Sequence, residues 1–293
     1  MSGTDRVKEE WGIQVRILLA IVSILFSLTA GAHAAFYTLT KIDDRVYAAI
    51  VDPSGPIASN ACIVITPTYV VLAGAHFTAA ATAEITRIIA GITPLPLRYV
   101  VLTHHHQGYS TTDFDFPPTV EIITSTPTWL KLKSEQRSLK NQVISFDKGM
   151  VIQGGKQKIL LTSMEAGHST GDIVVYLPDQ AVLFASDLIF NDEAGFMADG
   201  SARAWVQDLQ LLENLVVTKV EPGRGDVTDS GGLRRFRMFL QEFLTEVLSH
   251  VERGESIEET VRSFSFSSGK PPPNFTRYQR ENVRWAWREL QQH

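Results

Sequence analysis

The chain has 293 residues, of which 44% are hydrophobic and 20% charged, and its formal net charge is −5 with a pI near 5.9. This length and composition exclude a disordered chain and suffice for one large α/β domain, or two small ones, with a hydrophobic core. The mildly acidic balance and the lack of any Lys/Arg-rich stretch argue against a nucleic-acid partner.

The first 34 residues have the pattern of a secretory signal. Arg16 precedes an uncharged apolar run at residues 17–30, and small residues occupy the cleavage positions at 32–34. The run is shorter than the roughly 20 residues that span a bilayer, so a cleaved signal is favoured over a retained membrane anchor. We therefore predict a mature protein of residues 35–293, periplasmic or secreted, which contacts a membrane only if the N-terminal segment is uncleaved.

From residue 36 onward, strand-like runs alternate with helical patterns in two rounds. The first round predicts four strands in an antiparallel meander, a helix, two strands and a helix, at residues 36–40, 46–51, 61–65, 69–72, 75–92, 97–102, 120–125 and about 127–139. The second predicts four strands, a helix and a strand, at 142–146, 158–162, 173–177, 181–184, 202–216 and 217–220. Apolar residues at helical spacing from Leu233 to Val251 predict a core-facing helix, and a last helix is predicted over 277–292. The only cysteine, Cys62, is predicted to be a buried apolar residue and not a nucleophile.

Two imidazoles, those of His104 and His106, follow the strand predicted at 97–102. Alternate residues beyond the end of a buried strand can converge on one ion from a loop that the sheet holds rigid. The run therefore predicts half of a metal site. The alternative is a solvated His-rich loop that binds metal only adventitiously.

Three further loops place polar groups after predicted strands. Residues 166–172, Ala-Gly-His-Ser-Thr-Gly-Asp, supply His168, and Asp187 caps the apolar strand predicted at 181–184, three residues beyond its end. Residues 220–225, Val-Glu-Pro-Gly-Arg-Gly, follow the strand at 217–220 and supply Arg224. With the His104 loop, four loops thus carry candidate functional side chains, and together they are more specific than any one of them alone.

These four loops, in this order, resemble the landmarks of the metallo-β-lactamase superfamily of zinc hydrolases, which are a His-x-His-x-Asp-His loop, a Gly-His loop, an Asp-capped strand and a Pro-Gly-His-Gly loop. The resemblance covers residues 36–226, and Tyr278, Asn282 and Trp285 resemble the C-terminal helix of exported members related to sulfur-oxidation and quinoprotein-associated hydrolases. It implies an α/β (α+β) fold, the four-layer αβ/βα sandwich, over residues 35–293, with a C-terminal helical extension that covers residues 230–293.

The resemblance implies one complete zinc site. His104, His106 and His168 stand where the family's first zinc has its three imidazole ligands. Three histidines with an open fourth position are the ligand set of a catalytic zinc, which lowers the pKa of its bound water to about 7. One zinc ion is therefore the expected cofactor.

The second family site is degenerate. Gly108 stands in place of an aspartate, Tyr109 in place of a histidine and Arg224 in place of the last histidine, which leaves Asp187 alone as a ligand. Residues 71–74, Val-Leu-Ala-Gly, also lack the aspartate that the family usually places after this strand. The Tyr109 hydroxyl is a candidate to reach the developing oxyanion.

The loss of the second zinc suggests a charge compensation. The guanidinium of Arg224 would face Asp187 and relieve the cost of a buried carboxylate. In the alternative, Arg224 points to solvent. The candidate catalytic residues are therefore Tyr109, Asp187 and Arg224.

The resemblance implies an enzyme that hydrolyses an ester, lactone, thioester or amide of a small molecule, with zinc-bound hydroxide as the nucleophile. Because Gly108 removes the carboxylate that orients the water, a loss that typically costs about 10²- to 10⁴-fold, activity is expected to be low or to use another proton acceptor. The alternative is a non-catalytic exported binding protein on the same fold, which the three replaced ligands favour. An iron site is a third possibility, although three histidines suit zinc at least as well.

Overall fold

The computed structural model describes seven stretches of the chain, at residues 36–55, 59–75, 78–106, 116–134, 140–164, 166–269 and 271–292. The signal predicted at residues 1–34 lies outside them, as do Gly108 and Tyr109. Within these stretches, no helix combines the length and the apolar character that a membrane span needs.

The first sheet has seven strands that lie side by side in chain order. They are β1 (Tyr37–Asp43), β2 (Val46–Val51), β3 (Ala61–Ile65), β4 (Val70–Gly74), β5 (Leu97–Leu102), β6 (Glu121–Ser125) and β7 (Val143–Phe146). The first four form the predicted antiparallel meander, and β4 to β7 are parallel. Parallel neighbours need crossover connections, and α1 (Ala79–Ile92) and α2 (Thr126–Ser134) lie in two of them.

The second sheet has five strands in the order β12-β11-β10-β9-β8. They are β8 (Gly149–Gly154), β9 (Gln157–Ser163), β10 (Ile173–Leu177), β11 (Val182–Phe190) and β12 (Lys219–Arg224), and α3 (Ala202–Leu212) connects β11 to its parallel neighbour β12. The sequence did not predict β8, half of whose residues are exposed and whose two end residues are glycines. β11 runs six residues further than its predicted end at 184, through Asp187 to Phe190.

Three apolar clusters separate four layers. One lies between the first sheet and α1 and α2, and includes Ile85 and Leu132. The second lies between the two sheets and contains Cys62, Ile159 and Phe184. The third lies between the second sheet and the remaining helices. The alternation of strand residues between the two faces builds these layers, and it confirms the predicted four-layer αβ/βα sandwich.

Three C-terminal helices complete the outer layer on the second sheet. They are α4 (Ser230–Glu252), α5 (Ile257–Ser263) and α6 (Phe275–Gln291). The predicted apolar stripe of α4 is buried in the third cluster, and α6 packs against α4 and α5. The short α5 was not predicted, although a capping box of Ser256 and Glu259 marks its start. The helical extension thus shares its core with the second sheet.

Candidate metal centre

Three histidines converge where the two sheets meet. His104 and His106 follow β5, and His168 lies between β9 and β10. One ring nitrogen of each lies within 4.8 Å of the corresponding atoms of the other two, and His168 Nε2 is 2.9 Å from His106 Nδ1. His104 and His168 are buried, and His106 is half-buried. The structure therefore brings together the three imidazoles that the sequence singled out.

The outer nitrogens of two rings have partners that orient them. His104 Nδ1 is 3.3 Å from the hydroxyl of Thr103, which is itself 2.8 Å from Ser186 Oγ. His106 Nε2 is 3.0 Å from the carboxylate of Asp199. These contacts leave His104 Nε2 and His106 Nδ1 to face the cluster, together with His168 Nε2. Carboxylate and hydroxyl groups behind metal-binding imidazoles fix their tautomer and ring orientation in this way.

The cluster fits a zinc ion. Zinc binds imidazole nitrogen at about 2.0–2.1 Å, so tetrahedral ligand atoms lie roughly 3.4 Å apart. In the structure, His168 Nε2 and His106 Nδ1 are 2.9 Å apart, and the three ring nitrogens all lie within 4.8 Å of one another. The separation expected around zinc lies between these two values. Uncharged imidazole is also the form that binds a metal. The donor set and its geometry thus suit one ion with three histidine ligands.

Asp187 lies beside this cluster and is not a member of the group within 4.8 Å. Its Oδ2 is 3.8 Å from His104 Nε2 and 3.7 Å from His168 Nε2. Its Oδ1 accepts a hydrogen bond from Ser59 Oγ at 2.5 Å. Burial raises the pKa of Asp187, and the Ser59 hydrogen bond and the charge of Arg224 oppose this rise without cancelling it. The carboxylate thus faces the three imidazoles from one side.

Arg224 ends β12 and is half-buried. The sequence predicted that its guanidinium faces Asp187 directly, but its ion pair is with Glu193, with 3.9 Å between Nη1 and Oε2. Asn274 Nδ2 donates to the same Glu193 oxygen at 2.7 Å. Arg224 acts on Asp187 as a nearby positive charge. This carboxylate partner comes from the segment at residues 191–201, which follows β11.

The turn after His168 is fixed by a buried carboxylate. Asp172 accepts hydrogen bonds from the backbone N–H of Ser169 at 2.8 Å and from its hydroxyl at 2.5 Å. Burial raises the pKa of Asp172 to about 7, against the lowering effect of both hydrogen bonds. Gly171 has a φ of +85°, a value that favours glycine. These features hold the His168 backbone in place.

A cavity of about 490 Å³ lies next to Arg224. Its walls come from the loop after β2, from the segment after β11 and from the start of α6. They include Pro53, Glu193, Arg224, Arg277 and Tyr278. The cavity is therefore lined by charged, polar and aromatic groups, and residues of both signs contribute.

Sequence reasoning missed three polar residues at this site. Asp199 contacts His105 Nε2 at 3.2 Å as well as His106, Ser59 binds Asp187, and Glu193 pairs with Arg224. Asp199 is 93 residues from His106 in the chain, and Ser59 is 128 residues from Asp187. No local pattern marks these residues, because only the folded sandwich brings them to the histidines.

Comparisons with known proteins agree with this architecture. No family model and no curated protein matches the chain. Among solved structures, a metallo-β-lactamase from Pontibacter korlensis is 23% identical with a TM-score of 0.63, and the match covers 70% of this chain and 99% of that one. VMB-1 is 23% identical with a TM-score of 0.60 over 71% and 98% of the two chains. The metallo-β-lactamase DIM-1 is 17% identical with a TM-score of 0.59 over 70% and 97%. The chain thus has the metallo-β-lactamase fold.

Proposed function

We propose that the chain is an exported hydrolase of the metallo-β-lactamase superfamily that binds one zinc ion through His104, His106 and His168. The convergence of three ring nitrogens within 4.8 Å carries this proposal. The fold supports it, because solved metallo-β-lactamases share the architecture. The second family site is incomplete in the sequence, since Arg224 replaces one ligand and forms an ion pair with Glu193. One zinc ion per chain is therefore proposed.

Zinc at the three histidines would act as a Lewis acid and supply hydroxide at neutral pH. The protein's own groups would orient the reactants. Asp187 Oδ2 faces the cluster from 3.7 to 3.8 Å and is placed to accept a hydrogen bond from the attacking water. Ser59 holds the other oxygen of this carboxylate and so fixes its direction. Asp187 would thus take over part of the role that the sequence loses at Gly108.

Two further residues belong to the proposed site. Arg224 borders the cavity of about 490 Å³ and would attract a negatively charged part of a small-molecule substrate. Tyr109 is proposed to donate a hydrogen bond from its hydroxyl to the oxyanion that develops as the substrate is cleaved. The substrate classes are esters, lactones, thioesters and amides, which share a carbonyl carbon open to hydroxide.

Export and the lack of a nucleic-acid partner belong to the same proposal. Export rests on the apolar run at residues 17–30, and the second expectation on the net charge of −5. A periplasmic or secreted location follows from a cleaved signal, and membrane attachment from a retained one. N-terminal sequencing of the protein isolated from its host would distinguish the two, since cleavage predicts a start near residue 35.

A non-catalytic binding protein is the second candidate. It is favoured by the ion pair of Arg224 with Glu193, since both residues line the cavity at the place where the family has a metal ligand. In that case zinc at the three histidines would stabilise the fold, and the cavity would bind a ligand without cleaving it.

Metal content per chain tests the proposal first. Residues 35–293 are purified without chelator, loaded with a modest excess of zinc, desalted and analysed by elemental mass spectrometry. We expect one zinc, which is lost in His106→Ala and kept in His250→Ala, a control imidazole that pairs with Glu255 instead. No bound zinc would contradict the proposal, and two would contradict the mononuclear assignment.

Hydrolysis separates the two candidates once zinc is bound. The protein is assayed on activated esters, lactones, thioesters and β-lactams, with zinc and after its removal by chelator. Zinc-dependent turnover that disappears in His104→Ala supports the hydrolase. One bound zinc without turnover of any of these classes would favour the binding protein.

A further inference from the structure

The segment at residues 191–201, between β11 and α3, contacts the metal centre through Asp199. Its Asp199 carboxylate lies 3.0 Å from His106 Nε2 and 3.2 Å from His105 Nε2. The position of Asp199 therefore sets the ring orientation of His106.

The last helix, α6, holds this segment through Asn282. The Asn282 side chain is fully buried. Its Oδ1 accepts a hydrogen bond from the backbone N–H of Met197 at 2.9 Å, and its Nδ2 donates to the carbonyl of Gly195 at 3.0 Å. One amide thus satisfies a donor two residues before Asp199 and an acceptor four residues before it. The bonded positions Met197 and Asn282 are 85 residues apart in the chain.

Further contacts from α6 hold the other side of Asp199. Trp285 Nε1 donates to the carbonyl of Gly200 at 2.9 Å. The carboxylate of Glu289 accepts from Ser201 Oγ at 2.6 Å and from the N–H of Ala202 at 2.7 Å. α6 therefore holds the backbone on both sides of Asp199.

The opposite side of the segment is equally confined. A Cβ at Gly200 would lie under 3.0 Å from the backbone carbonyl of Gly167, the residue before His168. The backbone around Asp199 therefore lies between α6 and the turn that carries a second metal ligand. Movement of α6 relative to the second sheet would therefore change the position of the Asp199 carboxylate and the distance between Gly200 and Gly167.

The buried amide of Asn282 bonds the 191–201 segment and makes no polar contact that the apolar core around it would need. The neighbouring buried residues of α6, Val283, Ala286 and Leu290, are apolar and belong to the third cluster. An apolar residue at position 282 would suit that core but would leave the N–H of Met197 and the carbonyl of Gly195 without their side-chain partner. Loss of a partner to a buried polar group is expensive, so the segment would shift to recover hydrogen bonds.

We infer that Asn282 is a positioning residue for the metal centre, which acts through residues 195–199 on Asp199 and through Asp199 on His106. This inference rests on the proposed zinc site. Partners behind metal-binding histidines typically change metal affinity by 10- to 100-fold when they are mutated. Asn282 acts one step further away, so Asn282→Ala is expected to weaken zinc binding by roughly 10-fold, the lower end of that range.

The first experiment measures the zinc Kd of residues 35–293 by competition with a chromophoric chelator. Wild type, Asn282→Ala and Asp199→Ala are compared well below their unfolding temperatures. Trp287→Phe is the matched control, because it lies on α6 and donates to the carbonyl of Glu255 at 3.2 Å, away from the 191–201 segment. We expect weaker zinc binding in the first two variants and an unchanged Kd in Trp287→Phe.

The second experiment uses the zinc-free protein, so it does not depend on metal binding. Long-range ¹H–¹⁵N NMR spectra report which ring nitrogen of each histidine carries a proton. In wild type the hydrogen bond to Asp199 predicts a proton on His106 Nε2. Asn282→Ala should shift the ring nitrogen signals of His106 toward those seen in Asp199→Ala. Trp287→Phe should leave the His106 signals unchanged. If Asn282→Ala does not fold, Trp285→Phe, which removes the donor to Gly200, replaces it in both experiments.

The outcomes distinguish this inference from the proposed function. If wild type binds zinc and Asp199→Ala weakens binding while Asn282→Ala does not, the inference is overturned and the zinc site stands. If wild type binds no zinc, the proposed function fails. In that case unchanged His106 spectra in Asn282→Ala would overturn the inference as well, and shifted spectra would support it.

Discussion

Gly223 on β12 packs its backbone against the carboxylate of Asp187 on β11. A Cβ at position 223 would lie under 3.0 Å from Asp187 Oδ1, from the Asp187 backbone N and from the Ser186 carbonyl carbon. Register shifts in the β11-β12 pairing flank this point, and Ser186 has a φ of 49°. The two strands therefore approach closely where Asp187 turns toward the histidines, and only glycine fits opposite it.

Gly223→Ala is expected to destabilise the protein and to displace Asp187. The added methyl group would meet backbone atoms that cannot move aside, and overpacking of this kind costs typically about 1–3 kcal/mol. Urea unfolding of the zinc-free protein measures the change. Gly91→Ala is the control, because no atom lies within 4 Å of the added Cβ, and equal stability of the two variants would contradict the close approach.

Ser59→Ala removes the hydrogen bond that the Ser59 hydroxyl donates to Asp187 Oδ1. A buried hydrogen bond to a charged group contributes about 1.5–3 kcal/mol, so we expect a loss of that order at neutral pH. Ser54→Ala is the matched control, since its hydroxyl donates to Asp52 at an exposed position. A loss for Ser59→Ala no larger than that for Ser54→Ala would show that Asp187 does not depend on this donor.

Asp172→Asn should remove a pH dependence of stability. Burial raises the pKa of Asp172 from 3.8 to about 7 in the folded protein. Between these values the native state binds more protons than the unfolded state, so this group makes stability fall as pH rises. Relative to Asp172→Asn, zinc-free wild type should therefore lose stability as pH increases from 3.8 to about 7. Equilibrium unfolding across this range measures the difference, and a difference independent of pH would contradict the prediction.

Arg224→Ala removes the guanidinium that pairs with Glu193 and lowers the pKa of Asp187. We expect a decrease in stability of about 0.5–1 kcal/mol, the upper part of the range for partly exposed pairs, and recovery in Arg224→Lys. A double-mutant cycle with Glu193→Gln separates the ion pair from the effect on Asp187. An unchanged unfolding midpoint in Arg224→Ala would show that neither carboxylate needs the charge.

The resemblance to the metallo-β-lactamase superfamily predicted the sandwich, and strong local signals predicted most of its strands and the positions of the three histidines. β-branched runs predicted most strands, and His104 and His106 follow the C-terminal end of one of them, β5. The elements that it missed have weak local patterns. Half of the residues of β8 are exposed, and α5 has seven residues with one buried side chain.

The support of the site could not be predicted in the same way. Ser59, Asp199 and Asn282 act through contacts with residues more than 80 positions away in the chain. Arg224 was predicted to face Asp187, yet Glu193 is its ion-pair partner, because the path of residues 191–201 is set by α6. Such partners depend on how the layers pack, which no local pattern encodes.

Thr103 connects the two sheets directly beneath the first metal-site histidine. Its N–H donates to the carbonyl of Gly74 in the first sheet, and its carbonyl accepts from the N–H of Ile173 in the second. Any opening that moved His104 away from its neighbours would have to separate the two sheets as well. The backbone amides at Thr103 and Ile173 should therefore exchange with solvent only through global unfolding, and the backbone below His104 should stay in place whenever the protein is folded.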